Sequence, residues 1–415
     1  MKRYETYKDS GIQWWEEIPT HWDLKKAKHI FSLVTENVSD SSLPKIALEN
    51  IESWTGKYIE TDSDFMGEGV EFKKDDILFG KLRPYLAKVY KAEFAGQAVG
   101  DIYVFRGNEE QNPEYLKYLL LSYPFISVVD GSTYGAKMPR ANWDFISHLV
   151  LPCPPKTEQV TIAAFLDHKV GQIDATIAEK EQMIEDIKAY RSAIISEAVT
   201  KGLDKNVEMK DSGIEWCGYI PIHWQVLKIG YIFQNLDYLR QPISSENRER
   251  NNPQYEYYGA SGVIDKIDSY NVNDKVLLIG EDGANLVSRT LPLIYKAEGK
   301  FWVNNHAHIL KPISSDYDYM AFLLETADYT NYITGSAQPK LSQEKLSSVK
   351  LPVPPIEEQK QIAKKLICIV PLIDRSLIEI EKIIKDLKSY KSALITEAVT
   401  GKIDLREWKP KEENV

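Results

Sequence analysis

The chain repeats two segments of its own sequence at nearly the same distance. The segment KDSGIQWWEEIPTHW begins at Lys8, and KDSGIEWCGYIPIHW begins at Lys210, an offset of 202 residues. The segment LPCPPKTEQVTIAAFL begins at Leu151, and LPVPPIEEQKQIAKKL begins at Leu351, an offset of 200 residues. The order of the segments is the same in both halves, so the repeat is a frame that occurs twice.

The repeats enclose two blocks, residues 25–148 and 225–348, whose sequences resemble each other only weakly. A duplicated frame around two divergent blocks predicts one scaffold that presents two different recognition surfaces. At 415 residues the chain is long enough for two or more domains with their own cores. Its 43% hydrophobic and 27% charged residues are typical of a globular protein.

The charge of the chain argues against a surface that binds nucleic acid by charge alone. The net charge is −10 and the pI is about 5.4, whereas nucleic-acid-binding domains are usually basic. Each block is slightly acidic as well. If the chain binds DNA, its organisation has to indicate it, and other subunits have to supply part of the phosphate contacts.

The cysteines indicate a reducing compartment. Cys153, Cys217 and Cys368 are odd in number, far apart and without a CxxC spacing, which is typical of isolated thiols. The first residues, MKRYETYKDSG, do not resemble a signal peptide, and no apolar run is long enough to span a membrane. We therefore expect a cytoplasmic protein.

Each LPxPP box is followed by a predicted helix of about forty residues. Prolines are unfavourable inside a helix, so the box marks the point before which the helix cannot begin. Apolar residues then recur at alternating steps of four and three, the a and d positions of a coiled coil, over more than four heptads in both copies. The predicted seam consists of Leu166, Val170, Ile173, Ile177, Ile184, Ile187 and Ile194 in the first copy, and of Leu366, Val370, Ile373, Leu377, Ile380, Ile384, Leu387 and Leu394 in the second.

Two basic residues, Arg191 and Lys391, occupy the same seam position in the two copies. They either extend toward solvent near the helix end or form a polar layer that fixes the register, in the second case paired with Glu197 or Glu397. Pro371 lies inside the second helix and is expected to kink it or break it locally.

The length of the helices predicts their direction. A helix of this size is about 65 Å long, whereas a compact block of about 125 residues has a radius of gyration near 14 Å. The second block joins the end of the first helix to the start of the second and is too small to bridge a parallel pair. We therefore predict an α+β fold, with two globular mixed α/β domains at opposite ends of an antiparallel coiled coil, related by a pseudo-twofold axis.

Within the blocks, period and composition predict strands and helices. In the first block, strands are predicted from Asp75 (DDILFGKLRPYLAKVY) and Ala98 (AVGDIYVFRG), and a helix from Pro113 (PEYLKYLLLSYPFISVV). In the second block, strands are predicted from Asp274 (DKVLLIG) and Asn304 (NNHAHILKP), and a helix from Tyr317 (YDYMAFLLETADYTNYI).

Both blocks are rich in aromatic residues and in side chains that can bond base edges in the major groove. The DNA-binding candidates in the first block are Lys81, Arg83, Tyr85, Tyr134, Lys137 and Arg140. The candidates in the second block are Arg240, Gln241, Tyr257, Tyr258, Asn285, Arg289, Asn304, Asn305, His306, Gln338 and Lys340. The alternative is that many of them are ordinary polar residues of loops.

Both blocks end in a polar turn before the LPxPP box, TYGAKMPRANW in the first and TGSAQPKLSQE in the second. Arg140 and Lys340 match at the offset of 200 residues, and we predict that both anchor a phosphate. Lys137 and Gln338 have no basic or amide counterpart at the matching position, and we predict that they read bases.

Catalytic and metal-binding patterns are weak. The sequence NPQY from Asn252 is close to the Asn-Pro-Pro-Tyr loop of amino-methyltransferases, but no FxGxG strand precedes it. No GxxxxGK[ST] loop is present, so ATP is not expected to bind this chain. His306 and His308 alternate without further ligands, which favours a solvated or DNA-facing pair over a zinc site. His21 and His223 each precede a tryptophan in the repeated box, which indicates a role in packing of the frame.

The IPxHW box, the LPxPPxxEQxxIAxxL box and the long helix that ends in EAVTKG or EAVTGK resemble the specificity subunit of type I restriction-modification systems. The resemblance covers essentially the whole chain. It implies a first box with a target-recognition domain (1–156), a helix (157–204), a second box and domain (205–356), a second helix (357–404) and a tail (405–415).

The resemblance also implies a function. Each target-recognition domain would read one half of a bipartite, asymmetric DNA target, and the helices would set the gap. Two methyltransferase subunits would dock on the chain, and two restriction subunits would complete the nuclease. S-adenosylmethionine, ATP and Mg²⁺ would be bound by these partners, with no cofactor, metal or catalytic residue in this chain. The alternatives are a pseudo-symmetric coiled-coil scaffold that bridges two copies of a partner without DNA, and a fused methyltransferase.

Overall fold

The computed structural model describes residues 2–38, 43–61, 68–133, 137–248, 251, 253–335 and 339–410. The chain divides into two compact units: unit 1 comprises residues 1–181 and 381–415, and unit 2 comprises residues 182–380. Each unit therefore holds one of the two blocks together with part of both long helices. Within the described ranges, no helix is both long enough and apolar enough to cross a membrane.

In its described residues, the first half of the chain contains short strands, three short helices and the first long helix. In chain order the elements are β1 Tyr7–Ile12, β2 Trp15–Pro19, β3 Asp23–Lys26, β4 Phe31–Val34, β5 Asn37–Val38, β6 Lys45–Ile46, β7 Gly69–Phe72, β8 Ile77–Gly80, β9 Val89–Lys91, β10 Gly96–Ala98, β11 Ile102–Gly107, α1 Pro113–Leu121, α2 Tyr123–Gly131, α3 Trp143–His148, β12 Val150–Cys153 and α4 Lys156–Lys201.

Two four-stranded sheets form the block of unit 1. One sheet has the order β4-β11-β8-β9, with every pair antiparallel. The other has the order β5-β7-β10-β6, in which only β10 and β6 run parallel. Val104 in β11 lies opposite Leu78 on one side and Val34 on the other. Leu78 and Val104 are fully buried in one apolar cluster with Phe72 of β7, so the two sheets share a core.

The second half of the chain likewise contains short strands and helices followed by a long helix. The elements are β13 Met209–Asp211, β14 Tyr219–Pro221, β15 Gln225–Lys228, α5 Ile229–Ile232, β16 Phe233–Asn235, β17 Tyr255–Gly259, β18 Gly262–Ile267, β19 Val272–Gly280, α6 Gly283–Ser288, β20 Ile294–Val303, β21 Ala307–Pro312, α7 Tyr317–Thr326, α8 Gln343–Ser348, β22 Lys350–Val353 and α9 Ile356–Val399.

A single six-stranded sheet with the order β16-β21-β19-β20-β17-β18 forms the block of unit 2. All neighbours are antiparallel except β17 and β20. The central strand β19 carries the apolar run Val276–Ile279, all of it buried. Leu277 and Ile279 pack in one cluster, and Val276 and Leu278 in another. Alternate side chains of a strand point to opposite faces, so the sheet is covered on both.

The two blocks share a four-stranded antiparallel core that their sequences do not reveal. The order β4-β11-β8-β9 in unit 1 matches β16-β21-β19-β20 in unit 2. The matched strands β8 and β19 end at Gly80 and Gly280, an offset of 200 residues. That offset equals the spacing of the LPxPP boxes. The duplication therefore extends through the blocks, where apolar strand sequences have diverged but the sheet order has not.

The strand predicted from Asp75 is interrupted. Strand β8 ends at Gly80 and β9 begins only at Val89. Between them Arg83 and Ala87 have φ angles of 51° and 45°, a left-handed conformation that does not continue a strand. In the second block the strand predicted from Asn304 begins at β21, three residues later.

The helix predicted from Pro113 is also interrupted. Helix α1 ends at Leu121, and α2 begins at Tyr123 with Pro124 in its first turn. Proline lacks an N–H and cannot continue a helix from the preceding turn, but it fits the first turn of a new one. The corresponding α7 in unit 2 ends at Thr326, short of the predicted end.

The repeated boxes meet inside each unit through the glutamate of LPxPPxxEQ. In unit 1, Glu158 accepts a hydrogen bond from Trp22 Nε1 at 3.0 Å and lies 2.5 Å from His21 Nε2. The tryptophan and histidine of the second box contact Glu358 in the same way, at 3.1 and 2.8 Å. Both tryptophans are fully buried. The two histidines are exposed and join the frame through their contact with the glutamate, whereas the tryptophans do the packing. The contact explains why HW and EQ recur together.

The long helices α4 and α9 contain 46 and 44 residues. Every predicted seam residue is buried or half-buried, and none is exposed. The seam therefore marks the inner face of both helices. Helix α9 continues through Pro371, so the predicted local break is wrong. Pro371 is exposed, so the carbonyl one turn before it, which loses its N–H partner, lies on the side of the helix that water can reach.

Polar pairs interrupt the seam, although not with the predicted partners. In unit 1, Lys391 Nζ lies 2.7 Å from Asp174, and Lys388 Nζ lies 3.3 Å from Glu181. Partner positions rise along α4 as they fall along α9, so the helices run antiparallel in this unit. In unit 2, Arg191 pairs with Asp374 at 2.6 Å. Of the two alternatives, the structure shows the polar layer, but its partners are aspartates 200 residues apart and not Glu197 or Glu397.

The Asp174 carboxylate has a second partner from the block of unit 1, because Lys57 Nζ lies 2.9 Å away. Burial alone would raise the pKa of this carboxyl group, but the hydrogen bonds and charges of Lys391 and Lys57 outweigh that effect and lower the pKa. Lys57 therefore ties the recognition block to the helix pair in this unit.

Candidate nucleic-acid interface

The polar turn of unit 1 packs against the loop that follows β8. Ala141 N–H donates to the Lys81 carbonyl at 2.8 Å, and Arg83 N–H donates to the Pro139 carbonyl at 2.8 Å. Leu82 and Arg140 form an isolated antiparallel bridge. These backbone bonds fix the candidates on the loop and on the turn as one surface, which we call the loop–turn contact of unit 1.

Unit 2 contains the same contact at matching positions. Leu341 N–H donates to the Glu281 carbonyl at 2.9 Å, and Gly283 N–H donates to the Pro339 carbonyl at 2.7 Å. The loop again follows the strand that ends in glycine. A Cβ atom on Gly283 would lie 2.8 Å from atoms of Pro339 and Ile333, so the close approach of loop and turn requires glycine here.

The loop–turn contact of unit 1 carries a carboxylate between two cations. The Arg140 guanidinium donates to both oxygens of Asp101, at 3.1 and 3.0 Å. Lys81 Nζ lies 3.7 Å from the same carboxylate and 5.3 Å from the centre of the Tyr103 ring. The hydrogen bonds from Arg140 are the main reason that the pKa of Asp101 is lowered. Half of the Arg140 side chain remains exposed.

The loop–turn contact of unit 2 also carries a carboxylate between two cations, but the residues occupy different places. Glu281, which matches Lys81, accepts from Lys340 Nζ and from Arg240, each at 3.2 Å. Arg240 is mostly buried and also lies 3.5 Å from Asp237. The predicted phosphate anchors Arg140 and Lys340 are thus both ion-paired to an acid within their own unit.

Besides Arg140, three described candidates of unit 1 face solvent. Arg83, Tyr85 and Lys137 are exposed. In the part of the chain that the structure describes, neither Arg83 nor Lys137 has an acidic partner. Arg83 also has the left-handed φ of 51°, which is uncommon for a residue with a side chain and is concentrated at functional sites. Tyr134 lies outside the described residues.

Besides Arg289, three described candidates of unit 2 face solvent as well. Gln241, Asn305 and His306 are exposed. The Gln241 carbonyl accepts from Trp302 Nε1 and the Asn305 carbonyl from Arg240, so their backbones are held while their side chains are exposed. Gln338 lies outside the described residues.

Three other candidates belong to the core of unit 2, which corrects their predicted role. Tyr257 is 1% exposed, and its hydroxyl is bonded to the backbone of Ile243. Tyr258 is buried, and its hydroxyl donates to Glu256. Asn304 is buried, and its side-chain oxygen accepts from His306 N–H. Strand β17 is paired on both sides, and its two candidate tyrosines are buried, whereas the sequence indicated that they contact DNA.

Two more candidates brace loops rather than present free groups. The Asn285 side chain bonds the Leu291 backbone N–H and carbonyl at 2.9 and 3.2 Å. The Arg289 guanidinium donates to the carbonyls of Glu325 and Ala327 at 2.8 and 2.7 Å. These carbonyls lie at the end of α7, where the last turn of a helix leaves acceptors unsatisfied. Arg289 therefore caps α7.

The prediction that His306 and His308 both face solvent holds for the first and is wrong for the second. His306 is exposed, but His308 is 1% exposed. The ring of His308 lies 2.6 Å from Asp237 through Nδ1 and 2.8 Å from the Leu341 carbonyl through Nε2. Both ring nitrogens thus face acceptors, and the histidine joins the sheet to the polar turn. Within the described ranges, no group of three or more His, Cys, Asp or Glu residues is placed to hold a metal ion. Asn252 lies outside those ranges.

Sequence reasoning missed the acidic members of the interface. Arg140 is paired with Asp101 in unit 1. In unit 2, Arg240 is paired with Glu281 and also lies close to Asp237. Base contacts are predicted from basic and amide side chains, and acidic residues do not fit that pattern. The sequence signal for one of them was the offset of 200 residues, at which Glu281 matches Lys81.

The sequence model of the type I restriction modification DNA specificity domain matches residues 29–189 and 221–386. These two matches cover more than half of the chain and include most of both blocks and most of both long helices. The chain therefore belongs to the family of type I restriction-modification specificity subunits, with two target-recognition domains. Its role is DNA sequence recognition.

Relatives and solved structures agree with this membership. The chain is 24% identical to a Methanocaldococcus jannaschii protein assigned as the type I restriction enzyme MjaX specificity subunit, over 96% of this chain and 98% of that protein. It is 26% identical to the EcoDI specificity subunit of Escherichia coli over 43% of this chain and 44% of that one. A chain from a type I R-M system structure aligns over 93% and 99% of the two chains, with a TM-score of 0.74 and 15% identity. The HsdS subunit of Thermoanaerobacter tengcongensis aligns over 93% and 98%, with a TM-score of 0.53 and 16% identity.

Arg83→Ala is expected to relax discrimination at one base pair by about 1–3 kcal/mol, because an arginine that bonds a base edge rejects the other bases by that amount. Titrations of the assembled complex against single-base variants of its target would measure the effect. Arg83→Gly is the matched variant, since glycine keeps the left-handed backbone and should lose the same discrimination. Equal weakening on every sequence would instead place Arg83 on a phosphate.

Proposed function

We propose that each unit reads one half of a bipartite, asymmetric DNA target. The observation that carries this proposal is the pair of loop–turn contacts. The backbone arrangement is the same in both units, but the exposed side chains differ: Arg83, Tyr85 and Lys137 in unit 1, and Gln241, Asn305 and His306 in unit 2. A common support with different side chains suits two surfaces that approach DNA alike and recognise different bases.

In this proposal the chain itself carries no catalytic residue. Methyltransferase subunits dock along the long helices and use S-adenosylmethionine, and restriction subunits use ATP and Mg²⁺. Exposed apolar residues on the outer faces of the helices support docking. Leu372 and Ile378 on α9 are 59% and 66% exposed, and Tyr190 on α4 is 60% exposed. Partners that also bind the duplex would supply phosphate contacts that an acidic chain lacks.

The decisive experiment compares DNA retention by the chain assembled with its methyltransferase partner, on duplexes of different sequence and at several salt concentrations. Sequence-dependent retention supports the proposal. Assembly of the complex without any sequence preference would favour the coiled-coil scaffold that bridges partners without DNA. Methylome sequencing of a host that carries the system would identify the target motif itself.

A deletion of one heptad, Ile177–Met183, tests whether the helices set the gap between the half-sites. The deletion keeps the seam in phase and shortens α4 by about 10 Å. We expect the methylated motif to keep both half-sites and to have a shorter spacer, or methylation to be lost because the half-sites no longer fit. An unchanged spacer at full efficiency would show that the helices are not the ruler.

A further inference from the structure

The two charge clusters at the loop–turn contacts have the same kinds of charge, but residues at different sequence positions supply them. Cluster 1 consists of Lys81, Asp101 and Arg140, and cluster 2 consists of Arg240, Glu281 and Lys340. The strand-end residue is the cation in cluster 1 and the anion in cluster 2. The third member comes from the segment before β11 in unit 1, and from the segment after β16 in unit 2. Divergence has changed every position and kept two cations around a central carboxylate, with Asp237 as a second contact of Arg240 in cluster 2.

Each cluster lies where the proposed function requires phosphate contacts. Arg140 and Lys340 belong to the turns that pack beside the exposed candidate readers, and their side chains are 50% and 42% exposed. Their cationic groups can therefore turn from the carboxylate to a ligand in solvent without moving the backbone. The bidentate pair of Arg140 with Asp101 has the geometry that arginine uses for a phosphate as well.

From this arrangement we infer that Asp101 and Glu281 stand in for DNA phosphates in the free protein. On binding, a backbone phosphate replaces each carboxylate on Arg140 and Lys340. A duplex then has to break two ion pairs before it gains these contacts. Only a target that also satisfies the base-reading side chains offsets that cost, so the two acids lower the affinity for unrelated DNA. The inference rests on the proposed function and assigns a regulatory role to residues of the same site.

Asp101→Asn and Glu281→Gln remove the competing charges and keep the shapes of the side chains. In the complex with the methyltransferase partner, each should raise the affinity for an unrelated duplex roughly threefold, and the pair roughly tenfold, since exposed ion pairs contribute in this range. The controls are Glu110→Gln and Glu298→Gln, whose carboxylates pair with Lys25 and Lys275 away from the turns. They change the net charge equally and should leave the affinity nearly unchanged. An equal rise in the controls would overturn the inference in favour of a general charge effect.

Arg140→Ala gives a second measurement that does not depend on the acid variants. If a phosphate reaches Arg140, the slope of log affinity against log salt should fall by about 0.9, and Asp101→Asn should have no further effect in the Arg140→Ala background. An unchanged slope would show that Arg140 stays on Asp101, and the inference would be wrong even if an acid variant failed to fold.

The same titrations separate this inference from the proposed function. If the wild-type complex prefers its target over unrelated DNA but the acid variants bind unrelated DNA no more tightly, only the role of the two acids is refuted. If the wild-type complex shows no preference at all, the proposed function fails and the inference fails with it.

Discussion

Replacing Ile177 and Ile384 with aspartate should destabilise unit 1 by roughly 3 kcal/mol for each substitution, because each places a charge in an apolar layer without a partner. Both side chains are buried, and both border the same groove of unit 1. For a unit of this size, the loss from each single substitution corresponds to a decrease in Tm of roughly 10 °C. Thermal unfolding followed by circular dichroism or calorimetry measures it.

The neighbouring exposed positions provide matched controls. Ala178→Asp and Ile383→Asp introduce the same charge one residue away, on helix faces that are exposed. They should shift Tm by no more than about 2 °C, since exposed substitutions usually cost less than about 0.5 kcal/mol. Equal effects at the seam and control positions would contradict the assignment of the seam as the inner face.

Exchanging the block of unit 2 for that of another family member should change one half of the DNA target completely and leave the other half unaltered. The structure gives the junctions. Strands β15 and β22 pair from Gln225↔Val353 to Lys228↔Lys350, and Ile229 N–H donates to the Val349 carbonyl at 2.9 Å. An exchange of residues 229–349 keeps this two-stranded base and the buried tryptophan–glutamate contact of the frame intact. Methylome sequencing before and after the exchange measures the outcome.

The corresponding exchange in unit 1 is the matched control. Ala27 N–H donates to the Leu149 carbonyl at 2.8 Å, directly beside the paired strands β3 and β12. Replacing residues 27–149 should therefore change the other half of the target. A chimera that assembles with its partners but loses both half-sites would contradict independent reading by the two units.

Features that depend on residues recurring at a regular spacing along the chain could be predicted from the sequence. The seam residues follow from heptad spacing, and every one of them is buried or half-buried. The frame follows from exact recurrence of HW and EQ, which meet through Glu158 and Glu358. Of the two outcomes predicted at Pro371, the local break is wrong, because α9 continues through this exposed position.

The base-reading candidates were harder to predict, because a residue type does not specify its exposure. Tyr257 and Tyr258 suit a recognition surface by chemistry, yet β17 is an inner strand and buries both. Arg240 and Arg289 suit it by charge, yet both are committed to carboxylate or carbonyl groups of their own unit. Arg83 and Lys137 were equally plausible, and they are exposed.

The sequence by itself determined the duplicated frame, the two long helices, the seam and the family, since each depends on spacing along the chain. Tertiary structure alone decided which strands the two blocks share and which cations are paired. Sheet order and ion pairs join residues far apart in sequence, such as Asp101 with Arg140 and Glu281 with Lys340. These partners come together only when the whole sheet forms. No local sequence pattern therefore predicts that both recognition surfaces hold two cations around a carboxylate, supplied by different residues in each unit.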